Sequence, residues 1–113
     1  MKIYHNPRCS KSRQTLTLIE EAGVNPEIVE YLDTPPTEKD LDDILKMLCI
    51  EPDQLMRKKE SVYKELGLDQ KELSRQEMIT VMVENPKLIE RPIVVAGNKA
   101  ILGRPPENVK ELL

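Results

Sequence analysis

The fold is decided by residues 4–13, which read YHNPRCSKSR. Residues 2–5 predict a short buried strand, and Pro7 prevents its simple continuation. After residue 10, apolar residues recur at helical spacing, at Leu16, Leu18, Ile19 and Ala22. Gly23 follows as a helix C-cap. Cys9 is therefore expected between the end of a strand and the start of a helix.

A cysteine in this position is favoured as a nucleophile. It faces the unpaired backbone N–H groups and the positive end of the helix, with the basic residues Arg8, Lys11 and Arg13 nearby. These groups favour the thiolate, which is the nucleophilic form of cysteine. The same N–H groups also bind anions. The segment therefore predicts thiol chemistry on a small anionic substrate.

Strand and helix signals alternate along the rest of the chain. Further strands are predicted at 27–32, 92–96 and 99–102, and the last two flank Gly97-Asn98 as a hairpin with a type II′ turn. Thr37 and Asp40 form a variant capping box that begins a second long helix. Residues 50–86 show only short helical patterns, and a final helix begins at Pro105-Pro106.

The predicted fold class is therefore α/β, with the order βαβα, a helical insert at about 50–86, and ββα. A βαβ unit followed by a C-terminal hairpin indicates a thioredoxin-like fold. Its sheet has four strands of mixed direction, with helices on both faces. Residues 1–113 are expected to form a single domain, because no linker, repeat or low-complexity tract interrupts them.

The composition excludes several classes of function. The 113 residues carry 17 basic and 20 acidic side chains, so no strong positive field favours nucleic acid. No Trp or Phe is present to stack on bases, and two Cys and one His cannot supply a four-ligand zinc site. No apolar run is long enough for a membrane span, and the N-terminus does not read as a signal peptide. We expect a cytoplasmic protein with reduced thiols.

The spacing around Cys9 excludes two other thiol sites. A dithiol motif would need a cysteine at Ser12, so a second thiol must come from elsewhere. A phosphatase-like loop would need an arginine at Thr15. Cys49 lies between Leu48 and Ile50 and is expected to pack in the core, the alternative being a resolving thiol or an oxidation site.

Four segments together resemble the glutaredoxin-coupled arsenate reductases. They are residues 5–13 (HNPRCSKSR), 55–59 (LMRKK), 85–95 (NPKLIERPIVV) and 103–105 (GRP). They occur in the family's order over essentially the whole chain, which is most similar to the short chromosomal branch. The Spx-type transcriptional regulators form a related branch.

The resemblance implies a role for each matching residue. It makes Cys9 the catalytic nucleophile, and it makes Arg57, Arg91 and Arg104 the oxyanion-binding arginines. His5 matches a histidine that favours the thiolate, and Ser12 matches a hydroxyl near the sulfur. Pro92 matches the cis-proline that faces the cysteine in thioredoxin folds. No metal and no bound cofactor are implied.

The implied reaction reduces arsenate to arsenite through an adduct between arsenate and the Cys9 thiolate. Glutathione and a glutaredoxin are the implied partners that supply electrons. Two alternatives remain open at this point. One is a thiol–disulfide or glutathione-dependent reductase of the same fold, and the other is an Spx-like regulatory protein that binds RNA polymerase.

Overall fold

The computed structural model describes residues 1–113 and divides them into two compact units. The sheet unit comprises Met1–Thr34 and Arg91–Leu113, and the helical unit comprises Pro35–Glu90. No helix in either unit is both long and apolar enough to cross a membrane.

The sheet unit contains four strands, one α-helix and a C-terminal 3₁₀ helix. They are β1 (Lys2–His5), α1 (Ser10–Glu21), β2 (Glu27–Glu30), β3 (Ile93–Ala96), β4 (Lys99–Leu102) and the 3₁₀ helix Pro106–Leu112. The strand order is β2-β1-β3-β4, in which β1 pairs parallel with β2 and antiparallel with β3. β3 and β4 are also antiparallel. This is the four-stranded mixed sheet of a thioredoxin-like fold, as the sequence predicted.

The core of the sheet unit joins the central strands to the two helices. Ile3 lies opposite Val94 across the β1–β3 pair, and both are fully buried. Ile19 of α1 and Val109 of the C-terminal helix complete this cluster. Three consecutive residues of β1, from 3 to 5, are buried, so both faces of this central strand are covered.

The β3–β4 hairpin has the predicted turn. Ala96 pairs with Lys99, which leaves Gly97 and Asn98 as the two loop residues. Gly97 has a φ of 62°, whereas Asn98 has no positive φ. A positive φ at the first central residue alone is the pattern of a type II′ turn.

Strand β2 ends two residues earlier than expected. Asp33 and Thr34 both donate backbone hydrogen bonds to the carbonyl of Glu30, at 3.0 and 2.9 Å. These bonds form a turn that closes on the end of the strand. The expected continuation through Leu32 is therefore wrong, and Leu32 is exposed.

The helical unit consists of short helices around two longer ones. Its α-helices are α2 (Glu38–Leu48), α3 (Pro52–Leu55), α4 (Ser61–Glu65) and α5 (Arg75–Glu84), and its 3₁₀ helices are Leu68–Gln70 and Pro86–Leu88. The predicted capping box begins α2, because Thr37 Oγ1 accepts from the Asp40 N–H at 3.0 Å and Asp40 accepts from the Thr37 N–H at 3.4 Å.

The prediction that Cys49 packs in the core is wrong. Cys49 is the C-cap of α2, with a φ of 57°, and its side chain is exposed. Its thiol lies 3.6 Å from the carbonyl of Lys46. The left-handed backbone ends the helix at this residue and turns the side chain away from the apolar stripe of Leu41 and Leu45.

Candidate active site

Cys9 is the N-cap residue of α1. Its backbone is extended, and its carbonyl accepts the N–H of Arg13 at 3.0 Å as the first bond of the helix. The Cys9 N–H donates to the carbonyl of Asn6 at 3.0 Å, and no acidic residue lies in the first turn. The cysteine is 9% exposed. Its sulfur thus lies at the positive end of a twelve-residue helix that has no carboxylate in its first turn.

The loop that precedes Cys9 is held by two side chains. Asn6 Oδ1 accepts the N–H of Arg8 at 3.0 Å, which forms an Asx turn. Arg13 reaches back from α1, and its Nη1 donates to the carbonyl of Pro7 at 2.9 Å. These bonds fix the loop against the first turn of the helix, so the Cys9 backbone is anchored from both sides.

His5 and Ser12 form a buried pair next to this loop. His5 Nδ1 lies 2.6 Å from Ser12 Oγ, and the same oxygen accepts the N–H of Asn6 at 3.0 Å. Burial is the main cause that lowers the pKa of His5 from its usual 6.5; the Glu30 carboxylate opposes this effect, and the Arg13 cation adds to it. The imidazole is therefore neutral at pH 7. The predicted residues His5 and Ser12 are brought together, and their bond ties the end of β1 to α1.

Arg104 lies beside the Cys9 sulfur, although the two residues are far apart in the sequence. Its Nη1 lies 3.9 Å from Cys9 Sγ and donates to the carbonyl of Arg91 at 3.2 Å. The Arg104 carbonyl accepts from Asn108 Nδ2 at 3.3 Å, and the Leu102 carbonyl accepts from the same nitrogen at 3.1 Å. The guanidinium is thus held beside Cys9, on a backbone that is anchored to the C-terminal helix.

Arg91 and Pro92 directly precede β3. The Arg91–Pro92 peptide bond is cis, as the resemblance implied for Pro92. The Arg104–Pro105 bond is cis as well, which the sequence analysis did not anticipate. Arg91 is half-buried, and its carbonyl meets the Arg104 guanidinium. The two predicted arginines of the sheet unit are therefore in contact.

Arg57 lies in the helical unit, where two carboxylates hold it. Its Nη1 lies 2.8 Å from Glu90 Oε1, and its Nε lies 3.2 Å from Glu60 Oε1. The Arg57 N–H also donates to the carbonyl of Leu88 at 2.7 Å. Its side chain is 20% exposed. The positive charge of Arg57 is thus balanced by two carboxylates within its own unit.

Sequence reasoning missed the residues that support the site. Asn6 fixes the backbone before Cys9, and Asn108 fixes the backbone at Arg104. An asparagine before a turn was the available signal for Asn6, whereas Asn108 lies inside the C-terminal 3₁₀ helix and had none. No group of three or more His, Cys, Asp and Glu side chains is placed to hold a metal ion. The site offers a sulfur, a helix N-terminus and a guanidinium, a combination that suits nucleophilic attack on a bound oxyanion.

The sequence and the fold are similar to those of known proteins. The sequence matches the ArsC family over residues 4–112. It is 57% identical over 114 aligned residues to the uncharacterized protein YfgD of Escherichia coli, covering 100% of this chain and 96% of that protein. It is 48% identical to the arsenate reductase of Neisseria meningitidis, covering 100% of this chain and 97% of that protein. The arsenate reductase structure from Vibrio cholerae superposes with a TM-score of 0.94 at 49% identity, covering 99% of this chain and 96% of that chain.

Proposed function

The chain belongs to the ArsC family, and we propose that it reduces arsenate to arsenite with Cys9 as the nucleophile and with glutathione and a glutaredoxin as electron donors. One observation carries the proposal. The Arg104 guanidinium lies 3.9 Å from the Cys9 sulfur, which itself begins α1. A positive charge and a helix N-terminus at one sulfur suit both an attacking thiolate and a bound oxyanion.

The substrate fits this charge distribution. Arsenate is a tetrahedral oxyanion that is largely doubly charged near neutral pH, and a guanidinium can donate two parallel hydrogen bonds to paired oxygens. Arg104 is the arginine beside the sulfur, and Arg91 is in contact with it through its carbonyl. We propose that both bind the substrate. Arg57, the third oxyanion-binding arginine that the resemblance implies, shares its charge with Glu60 and Glu90 in the helical unit.

The proposed reaction begins with the Cys9 thiolate attacking arsenic. A sulfur–arsenic bond forms, and an arsenic–oxygen bond breaks so that this oxygen leaves as water after protonation. Glutathione then displaces a second arsenic-bound oxygen as water and forms its own sulfur–arsenic bond. A glutaredoxin thiolate attacks the glutathione sulfur, and this sulfur–arsenic bond breaks with its electron pair remaining on arsenic. Water then displaces the Cys9 sulfur from arsenic. The two external thiols become one disulfide, and their two electrons reduce arsenic from the +5 to the +3 state. Arsenite leaves, and Cys9 returns to its thiolate.

External thiols are proposed because the site has no second sulfur of its own. The position that a dithiol motif would use is Ser12, whose oxygen is engaged with His5 and with the Asn6 N–H. Cys9 and Cys49 are both free thiols, and they belong to different units. Free thiols and a glutathione-dependent cycle suit the reducing cytoplasm, where we propose that the protein acts.

An assay with each donor omitted in turn tests the electron source. NADPH oxidation is followed with arsenate, glutathione, glutathione reductase and glutaredoxin. We expect the rate to fall to background when glutathione or glutaredoxin is left out. A thioredoxin and thioredoxin reductase mixture without glutathione should not restore it. Full activity with the thioredoxin mixture alone would contradict the proposed donors. Turnover of glutathione mixed disulfides without arsenate turnover would instead favour the thiol–disulfide reductase.

A further inference from the structure

Gly103 differs from the other three glycines of the chain. Gly23, Gly67 and Gly97 all have a positive φ, and a Cβ on any of them would meet nothing within 4 Å. Gly103 has no positive φ, but a Cβ there would overlap Thr15 Oγ1 and lie 2.7 Å from Pro92 Cγ. This position therefore requires glycine because of its neighbours and not because of its backbone conformation.

The neighbours of Gly103 are fixed parts of the sheet unit. The Gly103 N–H donates to the carbonyl of Pro92 at 2.9 Å. Thr15 is fully buried on α1, where its hydroxyl donates to the carbonyl of Lys11 at 2.8 Å and lies 3.5 Å from the carbonyl of Gly103. Gly103 thus passes through a narrow gap between Thr15 of α1 and Pro92, the residue directly before β3.

We propose that Gly103 is a positioning residue for Arg104, acting through the width of this gap. Arg104 follows Gly103 directly, and its Nη1 lies 3.9 Å from Cys9 Sγ and 3.2 Å from the Arg91 carbonyl. A side chain at Gly103 would need to move by about 1 Å to regain an ordinary carbon–carbon contact of about 3.5–4.0 Å. That movement carries the Arg104 backbone with it and takes the guanidinium out of reach of the sulfur.

The proposal makes Gly103 act on Cys9 only through Arg104. A double-mutant cycle separates this role from a general effect on the fold, because two residues that act through one contact are not additive. The readout is the rate at which iodoacetamide alkylates Cys9 at pH 7, measured by mass spectrometry of the Cys9 peptide. The exposed Cys49 reacts in the same sample and serves as an internal reference. The test needs no arsenate, so its failure is separate from a failure of the proposed reaction.

We expect Arg104→Ala to slow alkylation of Cys9, because it removes the positive charge beside the nucleophilic sulfur. Gly103→Ala should slow it at least threefold in the wild-type background and cause no further slowing in the Arg104→Ala background. The matched control is Gly97→Ala, which introduces a strained backbone in the hairpin turn but meets no neighbour. It should lower the melting temperature and leave the Cys9 rate unchanged.

The proposal is overturned if Arg104→Ala or Gly103→Ala leaves the rate unchanged. It is equally overturned if Gly103→Ala slows alkylation by the same factor in both backgrounds. Thr15→Val provides a second approach if Gly103→Ala does not fold, since it places a methyl group where Oγ1 faces Gly103. We expect about twofold slower alkylation that disappears in the Arg104→Ala background. A folded Thr15→Val variant with the wild-type rate would contradict the proposal.

Discussion

The environment of the Cys9 sulfur comes from a few residues that are far apart in sequence. Asn6 and Arg13 hold the backbone around it, and Arg104 brings a guanidinium to it across a separation of 95 residues. The guanidinium also donates to the carbonyl of Arg91. Its position therefore depends on two backbone segments, and its charge is directed at the sulfur and at any anion bound there.

Replacing Arg104 tests its proposed role in binding the oxyanion. Arg104→Ala removes a charge-assisted contact worth about 1.5–3 kcal/mol, so we expect kcat/KM for arsenate to fall about 10- to 150-fold. The kcat/KM of Arg104→Lys should lie between the values of wild type and Arg104→Ala, because lysine keeps the charge but not the paired donors. The matched control is Arg75→Ala in the helical unit, where Arg75 pairs with Asp42 at 2.8 Å. Equal kcat/KM values for wild type and Arg104→Ala would show that Arg104 does not bind arsenate.

The buried histidine predicts how stability depends on pH. Burial lowers the pKa of His5, so the unfolded chain binds a proton more readily than the folded one below the usual value of 6.5. The contribution of the neutral His5 to stability is therefore fully present above pH 6.5. It is lost as the pH falls toward the lower pKa of the folded state. We expect the wild-type melting temperature to decrease between about pH 7.5 and 5.5.

The control for this effect is His5→Gln, because glutamine can hydrogen-bond to Ser12 but does not titrate. His5 is the only histidine of the chain. The His5→Gln variant should show a clearly flatter dependence of melting temperature on pH over the same range, measured by circular dichroism. The same slope in both proteins would show that another group causes the loss.

At the level of single elements, the buried face of α1 carries both polar and apolar residues. Ser12 and Thr15 near its beginning are fully buried, as is Ile19 one turn further on. These residues are three and four positions apart, so they share one face of the helix. The apolar pattern predicted the helix through Ala22, but it gave no signal that the two hydroxyl residues are buried. Their polar contacts are with His5, with Lys11 and with the carbonyl of Gly103.

Helix α2 depends on its capping box. Thr37→Ala removes the oxygen that accepts the Asp40 N–H at 3.0 Å. We expect the free energy of unfolding to decrease by about 1 kcal/mol. Thr37→Ser keeps the hydroxyl and should remain within about 0.5 kcal/mol of wild type. Urea denaturation measures both, and equal losses for the two variants would show that the hydroxyl does not cap the helix.

Across the whole molecule, features with a local signal could be predicted from the sequence. Four such features depend only on neighbouring residues. They are the strand before Cys9, the helix after it, the capping box at Thr37 and the hairpin turn at Gly97. The thioredoxin-like sheet followed from the order of these elements. The cis bond before Pro92 came from family resemblance, since no local pattern shows it.

Contacts between distant residues could not be predicted in this way. Thr15 and Gly103 are 88 residues apart, and Arg57 and Glu90 are 33 residues apart. No periodicity links such pairs, so the basic run at 57–59 gave no sign that Arg57 is held by two carboxylates. The exposure of Cys49 was missed for a different reason. Its apolar neighbours indicated core packing, but the residue ends α2 with a left-handed backbone.

Cys9 is the proposed nucleophile that takes up arsenate. The most direct measurement compares wild type, Cys9→Ser and Cys49→Ser in the NADPH-coupled assay with glutathione, glutathione reductase, glutaredoxin and arsenate. Cys49→Ser removes the other, exposed thiol and is the matched control. We expect arsenate-dependent NADPH oxidation by wild type and Cys49→Ser, and none by a Cys9→Ser variant with an unchanged circular dichroism spectrum. Arsenate-dependent turnover by Cys9→Ser, or its absence in wild type, would contradict this role of Cys9.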